Sequence, residues 1–456
     1  LAKTTVTEFQ NQAIPLLTLP RPGFNRRAME VLSASRGEAP WLLASRAAGL
    51  ERYEAMSAPH WRRTDLNRIK WDELVPYAPT QAPATGLDLL PPKLHAALAA
   101  YGERAGLLLQ RDSARTHVDL SADARRQGVI WTDLETAVRE HPDLVRRCFA
   151  ESASREEPDK YSSLHDAFWS GGAFLYVPAG AQVDLPFVSV LWMEMPGLAA
   201  FPPLLVAAEA GSRVTFVSEL LSMGCELCPQ GYHGGITRLF VGEGAQVRFV
   251  TAQDLGTHIA DLRTQVAVMG RGSKLDWLSV ALGGGVSRAH QRVTFAGPGA
   301  QAAMTGLYLP AGKQQMAFRT VQEHVAELCT SDLLYQGALL DSSRAVYEGV
   351  IRVRPGAQKT NAFQSNRNLL ISDKARVDSL PALEIEANDL RCTHGATVSQ
   401  VDESQIFYLM SRGIPRVDSV RLLLEGFFEP SLDRLPASLQ GLRARLSHAI
   451  ADKLKG

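Results

Sequence analysis

Apolar residues recur along this chain with two different periods. Between Pro40 and Met56, Trp41, Leu42, Leu43, Ala47, Leu50 and Tyr53 fall near the three-to-four spacing of an amphipathic helix. A weaker pattern suggests a helix over Ser113–Arg126. Another is suggested over Thr132–Phe149, where Asp133 sits near the first turn and suits the helix dipole. The proline-rich stretch 77–92, with Pro83, Pro91 and Pro92, cannot continue a helix and reads as an extended connector. Residues 1–170 are expected to form an N-terminal helical domain whose helices serve mainly for packing.

From Gly171 the pattern changes to short β-rich runs punctuated by a recurring tetrad of Gly, small, polar and apolar residues. The copies are Gly180-Ala181-Gln182-Val183, Gly211-Ser212-Arg213-Val214, Gly244-Ala245-Gln246-Val247, Gly272-Ser273-Lys274-Leu275 and Gly299-Ala300-Gln301-Ala302, about 30 residues apart. Gly356-Ala357-Gln358 and Lys374-Ala375-Arg376-Val377 extend the series less regularly. One such unit cannot bury its own apolar face, whereas stacked units pair strand on strand and build a continuous inward column of Val, Leu and Phe. The expected fold is mainly β: a right-handed parallel β-helix core over residues 171–396, with a jelly roll or sandwich as the alternative. Beyond Thr397 the helical period returns in Glu403–Arg412, Val417–Phe428 and Pro436–Leu454, with Gly413 as a C-terminal cap. Residues 397–456 are therefore read as a C-terminal helical domain.

Charge narrows the function. Lys plus Arg and Asp plus Glu number 48 each, so no net basic field attracts nucleic acid or an anionic membrane. Apolar runs such as Ala173–Val177 and Leu204–Ala208 are far shorter than the roughly 20 residues of a membrane helix. Leu1–Gln10 lacks the basic and apolar regions of a secretory signal, which points to the cytoplasm. Five scattered cysteines make reduced thiols a simpler reading than a disulfide framework.

Candidate chemistry is sparse. Cys392 and His394 stand two apart where strand pattern gives way to helix pattern, so in a strand they share a face. Thiolate and imidazole are both iron ligands, although a buried structural Cys and a hydrogen-bonded His are the commoner use of such residues. Cys225-Glu226-Leu227-Cys228 is a CxxC whose only neighbouring donor is His233, and it reads best as a loop with incidental thiols. His324, and His258 with Asp254 and Asp261, allow a metal or acid–base reading beside the plainer one of satisfied polar residues. There is no GxxxxGK[ST] loop, no Gly-x-Ser-x-Gly elbow and no His-Glu-x-x-His pair, so evidence for catalysis is thin.

Several ordered motifs carry a resemblance: Tyr335–Gly337, Val353–Thr360, Gln364–Leu370, Ser372–Asp378, Leu383–Ala387, Arg391–Val398 and Gln405–Ile414. Weaker similarity runs through Trp41–Leu43, Trp61–Leu66, Gly128–Leu134 and Trp169–Pro178. The chain resembles the SufB/SufD family of iron–sulfur cluster assembly scaffolds. SufB-like chains carry a cysteine in the strand that here reads Gln364–Asn368, and a Glu after the late His where this chain has Gly395. The SufD branch is the better match.

The resemblance implies a non-catalytic scaffold in a complex with a SufB-like paralogue and a SufC-like ATPase, the ATP hydrolysis residing in the partner. It implies that His394, with Cys392 a less certain participant, contributes to a transient iron–sulfur cluster at the SufB interface; flavin use stays open. The region Glu403–Phe428 takes the place where the family grips SufC, with Phe407, Tyr408, Phe427 and Phe428 either anchoring that partner or packing the helical domain. The isolated chain could also homodimerise through the β-helix. The rival readings are a structural homodimer that docks an ATPase without metal, and a carbohydrate-active β-helix enzyme. The latter would need clustered acids beside the tetrads, where Arg, Gln, Ser and Thr stand instead.

Overall fold

The computed structural model of the protein describes residues 21–454 apart from 60, 62, 79–89, 154–157, 225 and 226. The N-terminal start, most of the proline-rich connector and Cys225 thus lie outside the described residues.

Two sheets build the core. The ten-stranded sheet runs in the order β2 (Ala114–Leu120), β1 (Gly106–Arg111), β5 (Phe187–Met193), β8 (Arg213–Ser222), β11 (Gln246–Asp254), β13 (Lys274–Ala281), β15 (Gln301–Tyr308), β17 (Thr330–Leu339), β19 (Thr360–Leu370) and β21 (Leu390–Gln400). The facing sheet runs β3 (Ile130–Thr132), β4 (Ala173–Val177), β7 (Pro203–Ala208), β10 (Ile236–Val241), β12 (Ile259–Met269), β14 (Val286–Phe295), β16 (Gln315–His324), β18 (Arg344–Val353) and β20 (Arg376–Ile385), with β6 (Ala199–Ala200) and β9 (Gly231–His233) beside it. The chain alternates between the sheets and neighbours pair in parallel, so each coil stacks on the last in a β-solenoid of about eight turns. This is the β-helix expected from the tetrads.

The tetrads explain the coil corners. Gly180, Gly211, Gly244, Gly272 and Gly299 all have φ between 60° and 74°, and a Cβ on any of them would meet open space. The glycine is there for its backbone conformation, not for room. The small second residue is buried and the polar third residue leads into a strand, where Arg213, Gln246, Lys274 and Gln301 are register partners on successive coils. The series continues where the sequence hides it: Leu328 and Lys359 hold the glycine position of the next two coils with φ of 62° and 57°. Lys374–Val377 belongs instead to the corner leading into the facing sheet, since Arg376 pairs with Arg344.

Helices cover the outer faces. Helices α1 (Arg26–Ser35), α2 (Pro40–Ala55), α5 (Leu134–Glu140), α6 (Pro142–Ala153) and α7 (Lys160–Phe168) pack over β4, β7 and β12. Helix α3 (Pro92–Ala99), with α9 (Arg416–Leu432) and α10 (Gln440–Lys453), covers the other sheet. Short α4 (Ala122–Arg126) and α8 (Glu403–Ser411) complete the set, and Gly413 with φ 87° ends α8. Among the described residues no helix is long and apolar enough to cross a membrane.

Three local expectations change. Ser113–Arg126 is not one helix: Asp112, at φ 53°, turns a hairpin, Ala114–Leu120 pairs antiparallel with β1, and only Ala122–Arg126 is helical. The β1 edge offers a paired backbone that weak helical patterning cannot outweigh. Thr132–Phe149 breaks at Pro142, whose missing N–H suits the first position of a helix and not its interior. Cys228 is disulfide-bonded, against the expectation of reduced thiols throughout, while Cys148, Cys329 and Cys392 are in no disulfide.

The two ends differ. At the N-terminal end the hairpin β1–β2 and strand β3, antiparallel to β4, close the sheets. At the other end the sheets finish in β20 and β21, which like β2 and β3 have a partner on one side only but whose residues are mostly exposed. Leu380, Leu383, Ile385 and Val398 are exposed there.

Candidate functional site at the open end of the β-helix

Inside the solenoid, residues of the same phase stack coil upon coil. Phe187, Phe216, Phe249, Trp277, Met304 and Leu333 form one inward column. Phe216 and Phe249 stack at 5.7 Å and Trp277 meets Phe249 edge-on at 5.3 Å. Each such buried ring contributes about 2–3 kcal/mol. The column then changes character: its next two members are Gln364 on β19 and His394 on β21. The neighbouring column runs Val214, Val247, Leu275, Ala302, Ser331, Ala362 and ends in Cys392. Strand alternation thus puts Cys392 and His394 on the same inward face, as their spacing predicts.

Because no further coil covers them, the two differ in exposure. Cys392 is half-buried against Ile351, Val353, Ala357 and Ala362, while His394 is exposed. Burial raises the Cys392 thiol pKa above its ordinary value, and a hydrogen bond to the Ala362 backbone offsets part of that rise. Beneath His394, Gln364 is fully buried and neither atom of its amide has a hydrogen-bond partner among the described residues. It fits only because Gly349 faces it: a Cβ there would come within 2.2 Å of the Gln364 Nε2. Deeper in, Asn368 Nδ2 donates to Asn366 Oδ1 at 2.7 Å and Ser379 Oγ donates to the same oxygen at 2.6 Å. Tyr308 donates its hydroxyl to Asn368. The column that is apolar from Phe187 through Leu333 is therefore polar over its last two members, beside the hydrogen-bonded side chains of Asn366, Asn368, Ser379 and Tyr308.

Among the described residues no group of three or more His, Cys, Asp and Glu is disposed to hold a metal ion. Cys392 and His394 alone are half of a four-donor set at most. A Cβ on Gly395 would meet open space, so that glycine is not demanded by packing.

The other candidates separate. His324 is buried, bonded through Nε2 to Ser331 Oγ at 2.9 Å and stacked on Phe295. Asp254 pairs with Lys93 at 2.8 Å and is not joined to Asp261. Asp261 lies instead against His233, at 2.8 Å, a contact the sequence reading missed. Their separation of 28 residues is close to the coil repeat, and matching phases in adjacent repeats is the signal that could have found them. Of the proposed partner anchors, Phe407 is 73% and Tyr408 57% exposed, and Met410 on α8 and Val417 and Leu422 on α9 are exposed as well. Phe428 is fully buried and Phe427 partly so, both in the cluster that seats α9 on the sheet, which removes Phe428 from any exposed patch.

Comparison with known proteins agrees with the architecture. Residues 191–427 match the SufBD core domain of the SUF system for FeS cluster assembly, and residues 113–188 match the SufBD protein N-terminal region. The iron–sulfur cluster assembly protein SufD of Bacillus subtilis is 30% identical over 429 residues, covering 94% of this chain and 97% of that protein. The SufB protein of the same organism is 24% identical over 425 residues, covering 91% of this chain and 90% of its own length. A SufBD family protein of Staphylococcus epidermidis is likewise 24% identical over 425 residues, with coverages of 91% and 90%. With a β-solenoid of this order and this agreement along the chain, the protein belongs to the SufB/SufD family of iron–sulfur cluster assembly proteins, on its SufD side.

Proposed function

We propose that this chain is the SufD-like half of a scaffold whose open β-helix end pairs with a SufB-like paralogue and holds a nascent iron–sulfur cluster as cargo between them. The observation that carries this reading is the inward column that turns from Leu333 to Gln364 and His394 just where the strands run out of partners. An unpaired strand edge is a template for another chain. Exposed Leu380, Leu383, Ile385 and Val398 on β20 and β21 supply apolar area for such a contact.

In this reading His394, and Cys392 beside it, supply donors from one side and the partner supplies the rest. Binding requires the thiolate and the neutral imidazole, so cluster loading releases the Cys392 proton and weakens on acidification. A SufC-like ATPase docks on the surface of Phe407, Tyr408, Met410 and Val417, which α8 and the start of α9 present together. Arg416 fixes those helices to each other through a two-pronged pair with Glu403, both contacts at 2.7 Å. ATP-driven motion there would reach the cluster through β21, which leads into α8. Thiol ligands such as Cys392 must stay reduced, which suits a cytoplasmic site of work.

The test is co-purification with SufB-like and SufC-like partners, then anaerobic iron and sulfide analysis of the wild type, His394→Ala and Phe407→Asp/Tyr408→Asp. The expected result is loss of cluster with an intact complex for the first variant and loss of the ATPase alone for the second. An undiminished cluster in His394→Ala overturns the ligand role and leaves the scaffold role alone.

A further inference from the structure

Gln364 sits in the layer of the solenoid directly beneath the open end. On β19 it is the register partner of Leu333 below and of His394 above, and neighbouring strands of a sheet lie about 4.8 Å apart. Its side chain is fully buried, yet neither Oε1 nor Nε2 has a hydrogen-bond partner among the described residues. A buried amide left unpaired costs stability and calls for a reason. The facing strand is cleared to admit it: a Cβ on Gly349 of β18 would fall 2.2 Å from Nε2, 2.5 Å from Cδ and 2.7 Å from Oε1. Gly349 lies mid-strand and outside the left-handed region, so this glycine answers to the amide and not to the backbone. Gln364 thus reaches across the lumen from one sheet to the other.

The groups around that amide are apolar or already engaged. Leu333 offers no polar atom. Thr320, the partner of Gly349 in the coil below, shares its hydroxyl with Tyr347 at 2.8 Å. Gln322 gives its Nε2 to Ser331 Oγ at 2.7 Å and makes no bond to Gln364. In the layer above, Pro381 is the partner of Gly349 and has no N–H, and Ser379 Oγ donates to Asn366 at 2.6 Å. Cys392 packs in the neighbouring column against Ile351, Val353, Ala357 and Ala362. Of the inward-phase side chains of β20 and β21 beside Gln364, that leaves His394, which is exposed and so can change rotamer at little cost.

A second requirement meets this one at His394. An imidazole that binds iron through one nitrogen carries a proton on the other, and that N–H needs an acceptor to fix the ring. The requirement follows from ligation itself, whatever state the ring takes in the free chain. We propose that Gln364 is the positioning residue for His394: as the ring folds over the last coil, Gln364 Oε1 accepts its N–H and the other ring nitrogen is left bare toward the partner. The proposal rests on the ligand role given to His394 above. One hydrogen bond then satisfies the orphaned amide oxygen and selects the nitrogen that faces the cluster.

The test assembles the complex from separately purified chains, with SufB-like and SufC-like partners and with heavy-nitrogen histidine in this chain alone. Pulsed electron paramagnetic resonance of the reduced cluster reads the ligand-nitrogen coupling, a chelator reads the rate of cluster loss, and thermal melts read the isolated chain. Gln364→Leu should change the coupling and speed cluster loss about 10–100-fold. It should melt no lower than the wild type, because an unpaired buried amide has gone. Gly349→Ala, whose Cβ displaces the amide from the facing sheet, should change the coupling in the same way, and it decides the matter should Gln364→Leu fail to fold. Wild-type coupling and cluster lifetime in Gln364→Leu, with the cluster lost in His394→Ala, overturn the positioning role and leave the ligand role of His394 standing. A cluster undiminished in His394→Ala overturns both. A Gln364→Leu chain that melts lower with its coupling unchanged marks a purely structural amide and also overturns the proposal.

Discussion

His324 shows how burial turns a residue from candidate chemistry into structure. Removed from solvent, with its ring 4.2 Å from that of Phe295, it has its pKa lowered by burial from 6.5 to about 4. Between those values the unfolded chain binds a proton that the folded chain refuses, so stability falls as pH drops from 6.5 toward 4 and is unaffected above 6.5. The loss is on the order of 3 kcal/mol, and denaturant titrations of the wild type and His324→Gln across this window should show a smaller loss in the variant. Arg46 is a second case: fully buried, it is held by Glu38 at 2.5 and 2.7 Å, by the Ala167 carbonyl at 3.1 Å and by the face of Trp169. Glu38→Ala leaves that charge uncompensated and should cost about 3–5 kcal/mol, with Glu38→Ala/Arg46→Met recovering most of it; urea midpoints measure both. At this scale Cys392 and His394 were legible because strand alternation fixes the face of residues two apart. His233 and Asp261 were not, because their contact depends on which coil stacks on which.

Among the elements, the coil corners carry the clearest prediction. Leu328 occupies a left-handed corner that its neighbours give to glycine, and half its surface is exposed. The left-handed conformation costs an L-residue about 1–2 kcal/mol and glycine loses about 0.5–1 kcal/mol of chain entropy. Leu328→Gly should therefore gain about 0.5 kcal/mol, whereas Gly244→Ala should lose about 1 kcal/mol. Thermal unfolding of the two variants should move in opposite directions. The corners were legible where glycine marks them. They were hidden at Leu328 and Lys359, where parallel pairing on both sides holds the same backbone without it.

For the whole molecule the asymmetry between ends is decisive. Charging the open edge with Leu383→Asp/Ile385→Asp, at side chains 38% and 42% exposed, should abolish pairing with a SufB-like partner. The same change should leave the stability of the isolated chain within about 0.5 kcal/mol. Light scattering of mixed chains together with thermal melts checks both halves, and unimpaired pairing would move the interface elsewhere.

The sequence by itself determined the solenoid, the terminal helices and the pairing of Cys392 with His394 on one face, because each rests on a short-range period: a repeat, a helical stripe, an alternation. Only the tertiary structure decided that the inward column ends in Gln364 and His394 at an uncovered edge, that Phe428 is buried while Phe407 is not, and that His233 meets Asp261. Those facts depend on the stacking order of coils and on which face each helix lays against the sheet, and residues a whole coil apart in sequence carry no local trace of either.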